Sequence, residues 1–317
     1  MVRIWIEGCF DLYHPGHVFA FLMAKLLGDY LTAGLRPSDI IEIHKRKPIL
    51  NDDERYTMLE GCKYIDKTIN SRFSVKEMME DENGKHVNKL FDFVAHGNDP
   101  VVCWNGVDCY QVAKERLMYK EFKRLCGFST TNLIKRIILR NSSILQENDY
   151  FAEIDKEILE NEECRKFISQ IGPQNEENKR VIYISGTFDL FHAGHVSILK
   201  YARENNFYVI VGLQKNRFHA SQFPTIMSFL ERKICLLSCK YIDLIIEEGE
   251  VLDPDFFKKY NITYLLRRKN SLCYENINLN EMKLKLLEFS GQFDYLNSKL
   301  IQTRIIINKE YYLQKLS

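Results

Sequence analysis

The chain repeats itself, and this repeat constrains its fold more than any other feature. The segment GCFDLYHPGHV at 8–18 returns as GTFDLFHAGHV at 186–196, with eight of eleven positions identical. Further along, the pair Glu-Arg at 54–55 returns at 231–232 in the same order. A tandem duplication within 317 residues predicts two similar domains rather than one.

Each copy opens with the pattern of a parallel α/β sheet. In the first copy, an apolar run at 2–6 predicts a buried strand, 18–27 an amphipathic helix, and 30–35 a second buried strand. The second copy keeps this order. Strand, helix and strand with short connections form a right-handed βαβ unit. We therefore predict an α/β protein with two tandem Rossmann-like, doubly wound parallel-sheet domains that form a pseudo-dimer.

A polar and acidic segment separates the two copies. It contains runs such as QENDYFAEIDKEILENEE and ends near a Gly-Pro pair at 172–173. Such a composition is typical of a solvated connection. The predicted organisation is a first domain at 1–140, a polar linker with one or two short surface helices at 141–179, and a second domain at 180–317.

The charge balance excludes a general electrostatic attraction to nucleic acid. There are 44 Lys and Arg against 43 Asp and Glu, a net charge of +1. No apolar run reaches the roughly 18–20 residues of a membrane span. The N-terminal residues lack the pattern of a signal peptide. Nine cysteines without a C-x-x-C pair predict reduced thiols. We expect a cytoplasmic protein without a nucleic-acid partner or a transmembrane segment.

Two histidines follow the first strand of each copy: His14 and His17, then His192 and His195. In parallel sheets this is where ligands bind, beside a helix N-terminus that favours phosphate. One such pair alone is equally consistent with helix capping, and its spacing lacks a third ligand for zinc. The repetition of the whole pattern favours a functional site. Because no activated nucleophile stands out, we predict electrostatic catalysis on a phosphate and no protein-held metal.

The motif G-x-F-D-x-x-H-x-G-H resembles the cytidylyltransferase family of the nucleotidyltransferase superfamily. The resemblance extends to NDDERY at 51–56, AHGND at 95–99 and KRLCGFSTTNLI at 123–134. It covers nearly the whole chain apart from the linker. A tandem pair of such domains is similar to the branch of the family that uses phosphoethanolamine.

The resemblance implies roles for individual residues of the first copy. The serine and threonines at 129–131 are typical of a helix N-terminus. Their hydroxyls and the free backbone N–H groups there also suit an anion on physical grounds. The implied catalytic residues are His14, His17, Lys25 and Lys45. The implied CTP-binding residues are Gly8, Cys9, Phe10, Gly16, His96, Arg124, Gly127, Ser129, Thr130 and Thr131. The implied substrate-binding residues are Glu7, Asp11, Asn98 and Asp99.

The resemblance implies transfer of CMP from CTP to a phosphorylated amino alcohol. An acid at Glu7 suits an ammonium group, and the tetrapeptide at 96–99 is similar to that of enzymes using phosphoethanolamine. Phosphocholine as acceptor, and a catalytically dead nucleotide-binding regulator, stay open as alternatives. We expect Mg²⁺ to accompany the triphosphate because it neutralises charge on the leaving pyrophosphate. Assembly as a homodimer is left open.

The second copy keeps its histidines but loses other parts of the motif set. Ser185 stands in place of Glu7, and LRRKN at 266–270 stands in place of AHGND. The serine-threonine element and its preceding arginine are also missing. We therefore predict that the first domain is catalytic and that the second is degenerate, with two working sites as the rival hypothesis.

Overall fold

The computed structural model describes residues 1–80, 83, 85, 90–102, 106–125, 127–141, 147–170, 172, 175, 179–215, 225–248, 252–269, 271 and 273–316. The chain forms two compact units. One unit consists of Met1–Ile134 together with Ile307–Ser317, and the other of Lys135–Ile306.

The first unit contains five parallel strands in the order β3-β2-β1-β4-β5. The strands are β1 (Arg3–Gly8), β2 (Tyr30–Leu35), β3 (Lys67–Asn70), β4 (Phe93–Gly97) and β5 (Tyr119–Phe122). The helices are α1 (Pro15–Lys25), α2 (Ser38–His44), α3 (Asp52–Glu60), α4 (Val75–Met79), α5 (Gln111–Glu115) and the start of α6 (Thr130–Asn141). The motif histidines thus follow the central strand, whose carboxyl end faces the N-terminus of α1.

The second unit has the same sheet topology, with the order β10-β9-β6-β7-β8. The strands are β6 (Arg180–Gly186), β7 (Phe207–Gln214), β8 (Leu244–Glu248), β9 (Ile262–Arg268) and β10 (Lys285–Phe289). The helices are α7 (Glu147–Glu160), α8 (Glu162–Ile168), α9 (Ala193–Glu204), α10 (Phe229–Leu237), α11 (Pro254–Lys259) and α12 (Ser298–Ile307), and α13 (Lys309–Leu316) follows in the first unit. The predicted parallel α/β sheet in each copy is confirmed, while the pseudo-dimer stays a prediction.

The segment at 141–179 is more than a polar linker. Its described part contains α7 and α8, and their apolar side chains Ile158, Cys164 and Phe167 are buried. The unit boundary accordingly falls between residues 134 and 135, and this segment belongs to the second unit. Its polar composition conceals this because a few apolar residues on one helix face are enough for packing.

One cysteine contradicts the prediction of reduced thiols throughout. Cys109 is in a disulfide bond. Sequence spacing does not reveal such a pair, because only the fold brings two Cα atoms within bonding range. Among the described residues, no helix combines the length and the apolar composition needed to cross a membrane.

Candidate active site

A cavity of about 320 Å³ lies at the carboxyl ends of β1 and β4, beside the N-termini of α1 and α6. The fold brings most of the predicted site residues to this cavity. Its lining includes Glu7, Gly8, Cys9, Phe10, Asp11, His14, Gly16, His17, Lys45, His96, Asp99, Arg124, Ser129, Thr130 and Thr131. The predicted residues outside the lining are Lys25, Asn98 and Gly127.

The two histidines of the first copy form a stacked pair. His14 is the N-cap residue of α1, and His17 lies one turn further, on the same helix face. Their ring centroids are 3.8 Å apart with an interplanar angle of 22°. The glycine between them is required by the packing, because a Cβ on Gly16 would lie 2.7 Å from the carbonyl oxygen of Phe128. The absence of a side chain at Gly16 thus lets the backbone of α1 pack closely against Phe128 beside the two imidazoles.

Within the stacked pair, His17 is uncharged at neutral pH. Burial lowers the pKa of His17 to about 3, and the positive charges of Arg124 and Lys45 lower it further in the same direction. Among the described residues, Nδ1 of His17 has no hydrogen-bond partner. His17 is therefore a neutral imidazole, which interacts with a ligand through a hydrogen bond rather than through a positive charge.

Two cationic side chains supply the positive charge instead. Lys45 follows α2 directly, and Arg124 follows β5. The guanidinium of Arg124 forms an ion pair with Asp99, with 2.5 Å between Nη1 and Oδ2. Its aliphatic chain lies flat on Gly97, where a Cβ would overlap it. Arg124 is thus held over the cavity by Gly97 beneath it and Asp99 beside it.

The hydroxyl residues stand where α6 begins. Ser129 Oγ accepts a hydrogen bond from the backbone N–H of Asn132 at 3.1 Å, which is an N-cap interaction. Thr130 Oγ1 donates to the carbonyl of Asp11 at 2.7 Å and lies 3.5 Å from Nε2 of His14. Gly127 lies outside the lining and shapes the turn before α6, with φ of +84°, which favours glycine.

Glu7 is a partly buried acid at the end of β1. Its carboxylate accepts a hydrogen bond from Trp5 Nε1 at 3.3 Å. Burial raises the pKa of Glu7 above its usual value, against the opposing effect of the Arg36 charge. A buried carboxylate with a single indole donor is suited to receive a cationic group, which would restore the lost solvation.

Asp11 was predicted to bind substrate, but its carboxylate is engaged inside the protein. Its two oxygens accept the backbone N–H groups of Ile49 at 2.8 Å and Leu50 at 3.0 Å. Asp11 therefore holds the loop that follows Lys45, and this long-range bond is invisible in the sequence. Asn98 has a similar internal role, since its Oδ1 accepts the backbone N–H of Arg124 at 3.1 Å.

The structure does not bring Lys25 to the cavity. Its ammonium forms an ion pair with Asp66 at 2.6 Å and donates to the carbonyl of Asp29 at 2.6 Å. Eleven residues of α-helix separate the lysine from His14, which is roughly 16 Å along the axis. A role for Lys25 in binding phosphate at this cavity is not supported by its position.

Arg55 is a supporting residue that the sequence analysis did not assign. Its side chain is completely buried, and Nη1 donates to the carbonyls of Cys9 at 2.7 Å and Arg36 at 2.9 Å. These bonds hold the turn after β1, where Phe10 adopts a strained positive φ of 50°. The recurrence of Glu-Arg in both copies was the signal, because Arg232 makes the same pair of carbonyl bonds in the second unit.

The second unit has its own cavity at the equivalent place, of about 500 Å³. The rings of His192 and His195 stack with centroids 3.8 Å apart. Burial holds the pKa of both histidines well below the usual range, and the Arg268 charge acts in the same direction. The paired imidazoles are therefore preserved in both copies.

A family model described as cytidylyltransferase-like matches residues 5–136 and 183–307. The chain belongs to the cytidylyltransferase-like family. The two matched segments cover both cavities, so the predicted family and its tandem arrangement are confirmed. Membership also makes the chain a relative of nucleotidyltransferases, as predicted.

Curated relatives align over nearly the whole chain. A probable ethanolamine-phosphate cytidylyltransferase of Encephalitozoon cuniculi is 31% identical over 99% of this chain and 96% of its own. The ethanolamine-phosphate cytidylyltransferase of Saccharomyces cerevisiae is 26% identical over 99% and 95%. By contrast, the choline-phosphate cytidylyltransferase A of Rattus norvegicus is 32% identical over only 43% of this chain and 36% of its own. The alignments with the first two proteins span both matched segments of this chain.

Proposed function

We propose that this protein transfers CMP from CTP to phosphoethanolamine, giving CDP-ethanolamine and pyrophosphate, in the cavity of the first unit. The observation that carries the proposal is the combination within one cavity of phosphate-binding groups and the acid Glu7. The names of the full-length relatives support the same acceptor.

The reaction is an in-line displacement at the α-phosphorus of CTP. A phosphate oxygen of the acceptor forms the new P–O bond, and the bond from the α-phosphorus to the bridging oxygen of the β-phosphate breaks. Negative charge grows on the non-bridging oxygens and on the departing pyrophosphate. His14 and His17 donate N–H hydrogen bonds to these oxygens, and Lys45 and Arg124 stabilise the charge. No protein nucleophile is required.

Glu7 selects the acceptor by accepting hydrogen bonds from its ammonium group. The ammonium group of phosphoethanolamine carries N–H donors that a buried carboxylate can accept, whereas a quaternary ammonium has none. We expect Glu7→Gln, which keeps the shape, to lower kcat/KM for phosphoethanolamine by about 10- to 100-fold, the scale of one hydrogen bond to a charged group. Binding of CTP should change less than threefold, since Glu7 does not face the phosphates in this proposal.

Mg²⁺ would enter on the triphosphate rather than in a cage of protein ligands. Among the described residues, no three His, Cys, Asp or Glu side chains stand close enough to hold a metal ion. Both oxygens of Asp11 accept backbone N–H groups, and Oδ2 of Asp99 is paired with Arg124. When bound, the ion neutralises charge on the pyrophosphate, as is usual where Mg²⁺ keeps its waters and substrate phosphates as ligands.

Release of pyrophosphate from CTP and Mg²⁺ tests the proposal, with phosphoethanolamine, phosphocholine and glycerol 3-phosphate as separate acceptors. The expected result is a strong preference for phosphoethanolamine that Glu7→Gln removes. Preference for phosphocholine in the unmodified protein would contradict the acceptor. Tight CTP binding without pyrophosphate release from any acceptor would favour a regulator instead.

Assembly as a homodimer, which the sequence left open, and the predicted cytoplasmic location belong to the same proposal. Light scattering of the purified chain at working concentration tests the first, and a mass near 37.5 kDa would contradict it.

A further inference from the structure

An arginine and a glycine at the edge of the cavity stand at opposite positions in the two copies. Strand pairing aligns Trp5 with Val94 in the first sheet and Tyr183 with Leu265 in the second. Counting three residues onward, Arg268 therefore stands at the position of Gly97. The two copies thus differ at the end of the strand beside the central one.

The opposite change occurs two residues beyond the neighbouring strand. Gly97 pairs with Phe122 in the first sheet, and Arg268 pairs with Phe289 in the second. Two residues after these phenylalanines stand Arg124 in the first copy and Gly291 in the second. One arginine and one glycine are present in each copy, with their places reversed.

The guanidinium of Arg268 points into the second cavity. Its Nη1 donates to the carbonyl of Leu296 at 2.8 Å, which fixes the orientation of the group. Its Nη2 lies against the first turn of α9, where a Cβ on Gly194 would overlap it. Among the described residues, this buried Nη2 has no hydrogen-bond partner. The arginine thus keeps a buried donor without a protein partner in the described part of the chain, at the start of α9.

The surroundings of Arg268 favour an anion. His192 is only 1% exposed and lines the cavity, and its Nδ1 has no hydrogen-bond partner among the described residues. The free N–H groups at the start of α9 add a favourable dipole. Lys299 lines the same cavity at the start of α12, next to Ser298, whose hydroxyl donates to Asp189 Oδ2 at 2.8 Å. Arg268, His192 and Lys299 are the groups that suit phosphate oxygens.

An amino alcohol is not accommodated in the second cavity. Ser185 replaces Glu7, and its backbone N–H donates to the hydroxyl of Tyr274 at 2.6 Å. Its own hydroxyl accepts from Gln214 Nε2 at 2.9 Å. The place of the acid is therefore occupied by neutral, mutually bonded groups that give an ammonium no counter-charge.

We propose that the second cavity is a binding site for a di- or triphosphate group, held by Arg268 in place of the missing equivalent of Arg124. The ligand class is a nucleoside polyphosphate or free pyrophosphate, bound without turnover. This inference does not rest on the proposed transfer reaction, since binding in the second cavity is measurable whether or not the first cavity releases pyrophosphate.

Equilibrium dialysis of the full chain tests this site, with labelled CTP and labelled pyrophosphate as separate probes. The unmodified protein should bind two equivalents of at least one probe. Arg268→Gln should weaken one of them by about 10- to 100-fold, the effect of losing a charge-assisted hydrogen bond. Binding of CTP but not pyrophosphate at this site would show that it requires the nucleoside. Binding of both would show that the diphosphate group is sufficient.

The neighbouring Arg267 provides a matched control. It lines the same cavity, but its guanidinium is paired with Glu288 at 2.8 Å. Arg267→Gln should therefore leave both equivalents within threefold. If Arg268→Gln fails to fold, Gly194→Ala tests the same point, because its methyl group displaces the guanidinium. A single equivalent that Arg268→Gln leaves unchanged, or two equivalents that stay unchanged in Arg268→Gln or Gly194→Ala, would overturn the proposal.

Discussion

Asp11 and Asp189 offer a matched pair of perturbations that separates stability from activity. Both carboxylates are buried and accept two consecutive backbone N–H groups at 2.8–3.0 Å, from Ile49 and Leu50 in the first unit and from Ile226 and Met227 in the second. Replacement of either aspartate by asparagine keeps the shape but turns one acceptor into a donor.

The magnitude follows from these bonds. One buried N–H is left facing an amide donor, which costs about 1–3 kcal/mol of unfolding free energy. We expect both Asp11→Asn and Asp189→Asn to destabilise the fold in urea unfolding, because each carboxylate accepts two backbone N–H groups. The loss should be at least as large for Asp189→Asn, since Oδ2 of Asp189 also accepts from Ser298 Oγ at 2.8 Å. The activity should differ, since the loop bound to Asp11 is the one that follows Lys45.

Displacement of the loop that follows Lys45 should weaken the contact of Lys45 with the triphosphate. We expect Asp11→Asn to lower kcat/KM for CTP by about 10- to 100-fold, the value of one charge-assisted contact. Asp189→Asn should stay within threefold in steady-state pyrophosphate release. Equal losses of activity in both variants would refute the reasoning. A loss confined to KM for phosphoethanolamine would restore the acceptor-binding role predicted from the sequence.

Three further predictions concern single side chains. Lys25→Met should leave KM for CTP within twofold, whereas Lys45→Met should raise it about 10- to 100-fold; a larger effect at Lys25 would contradict its placement beside Asp66. Tyr311 of α13 accepts a hydrogen bond from the backbone N–H of Lys47 at 2.8 Å. Tyr311→Leu should therefore raise KM for CTP about two- to fivefold, the net value of one hydrogen bond, with kcat unchanged. A fall in kcat alone would argue against this role. His17 has a folded pKa of about 3 against a usual 6.5, so the unfolded state binds its proton first and stability is lost as pH falls below about 6.5. Relative to His17→Asn, the unmodified protein should lose about 1.4 kcal/mol of unfolding free energy per pH unit between pH 6 and 4, and parallel pH dependences would contradict a neutral His17.

The sequence predicted where residues lie when their motifs fall at strand ends. The carboxyl ends of β1 and β4 meet at one edge of the sheet, so residues following each strand converge there regardless of the loops between them. This is why Glu7, His14 and Asp99 share one cavity. The repeat itself made the parallel topology of both sheets predictable.

The sequence did not predict where a residue lies when its placement depends on a contact across the fold. Lys25 was assigned from its spacing, but the rise of a helix carries it away from the histidines. Asp11 turned inward to a loop some forty residues later, and this bond leaves no periodic signal. The second copy seemed to lack the equivalent of Arg124. Position-by-position comparison of the two copies does not reveal that Arg268, on another strand, supplies a guanidinium to the second cavity.

Turnover by two alanine variants tests the central claim, that the first cavity carries the transfer reaction, most directly. Pyrophosphate release with CTP, Mg²⁺ and phosphoethanolamine should fall about 10²- to 10³-fold in His14→Ala, the effect of losing one transition-state donor. His192→Ala should retain turnover within threefold. Undiminished turnover in His14→Ala, or an equal loss in His192→Ala with intact folding, would contradict the account.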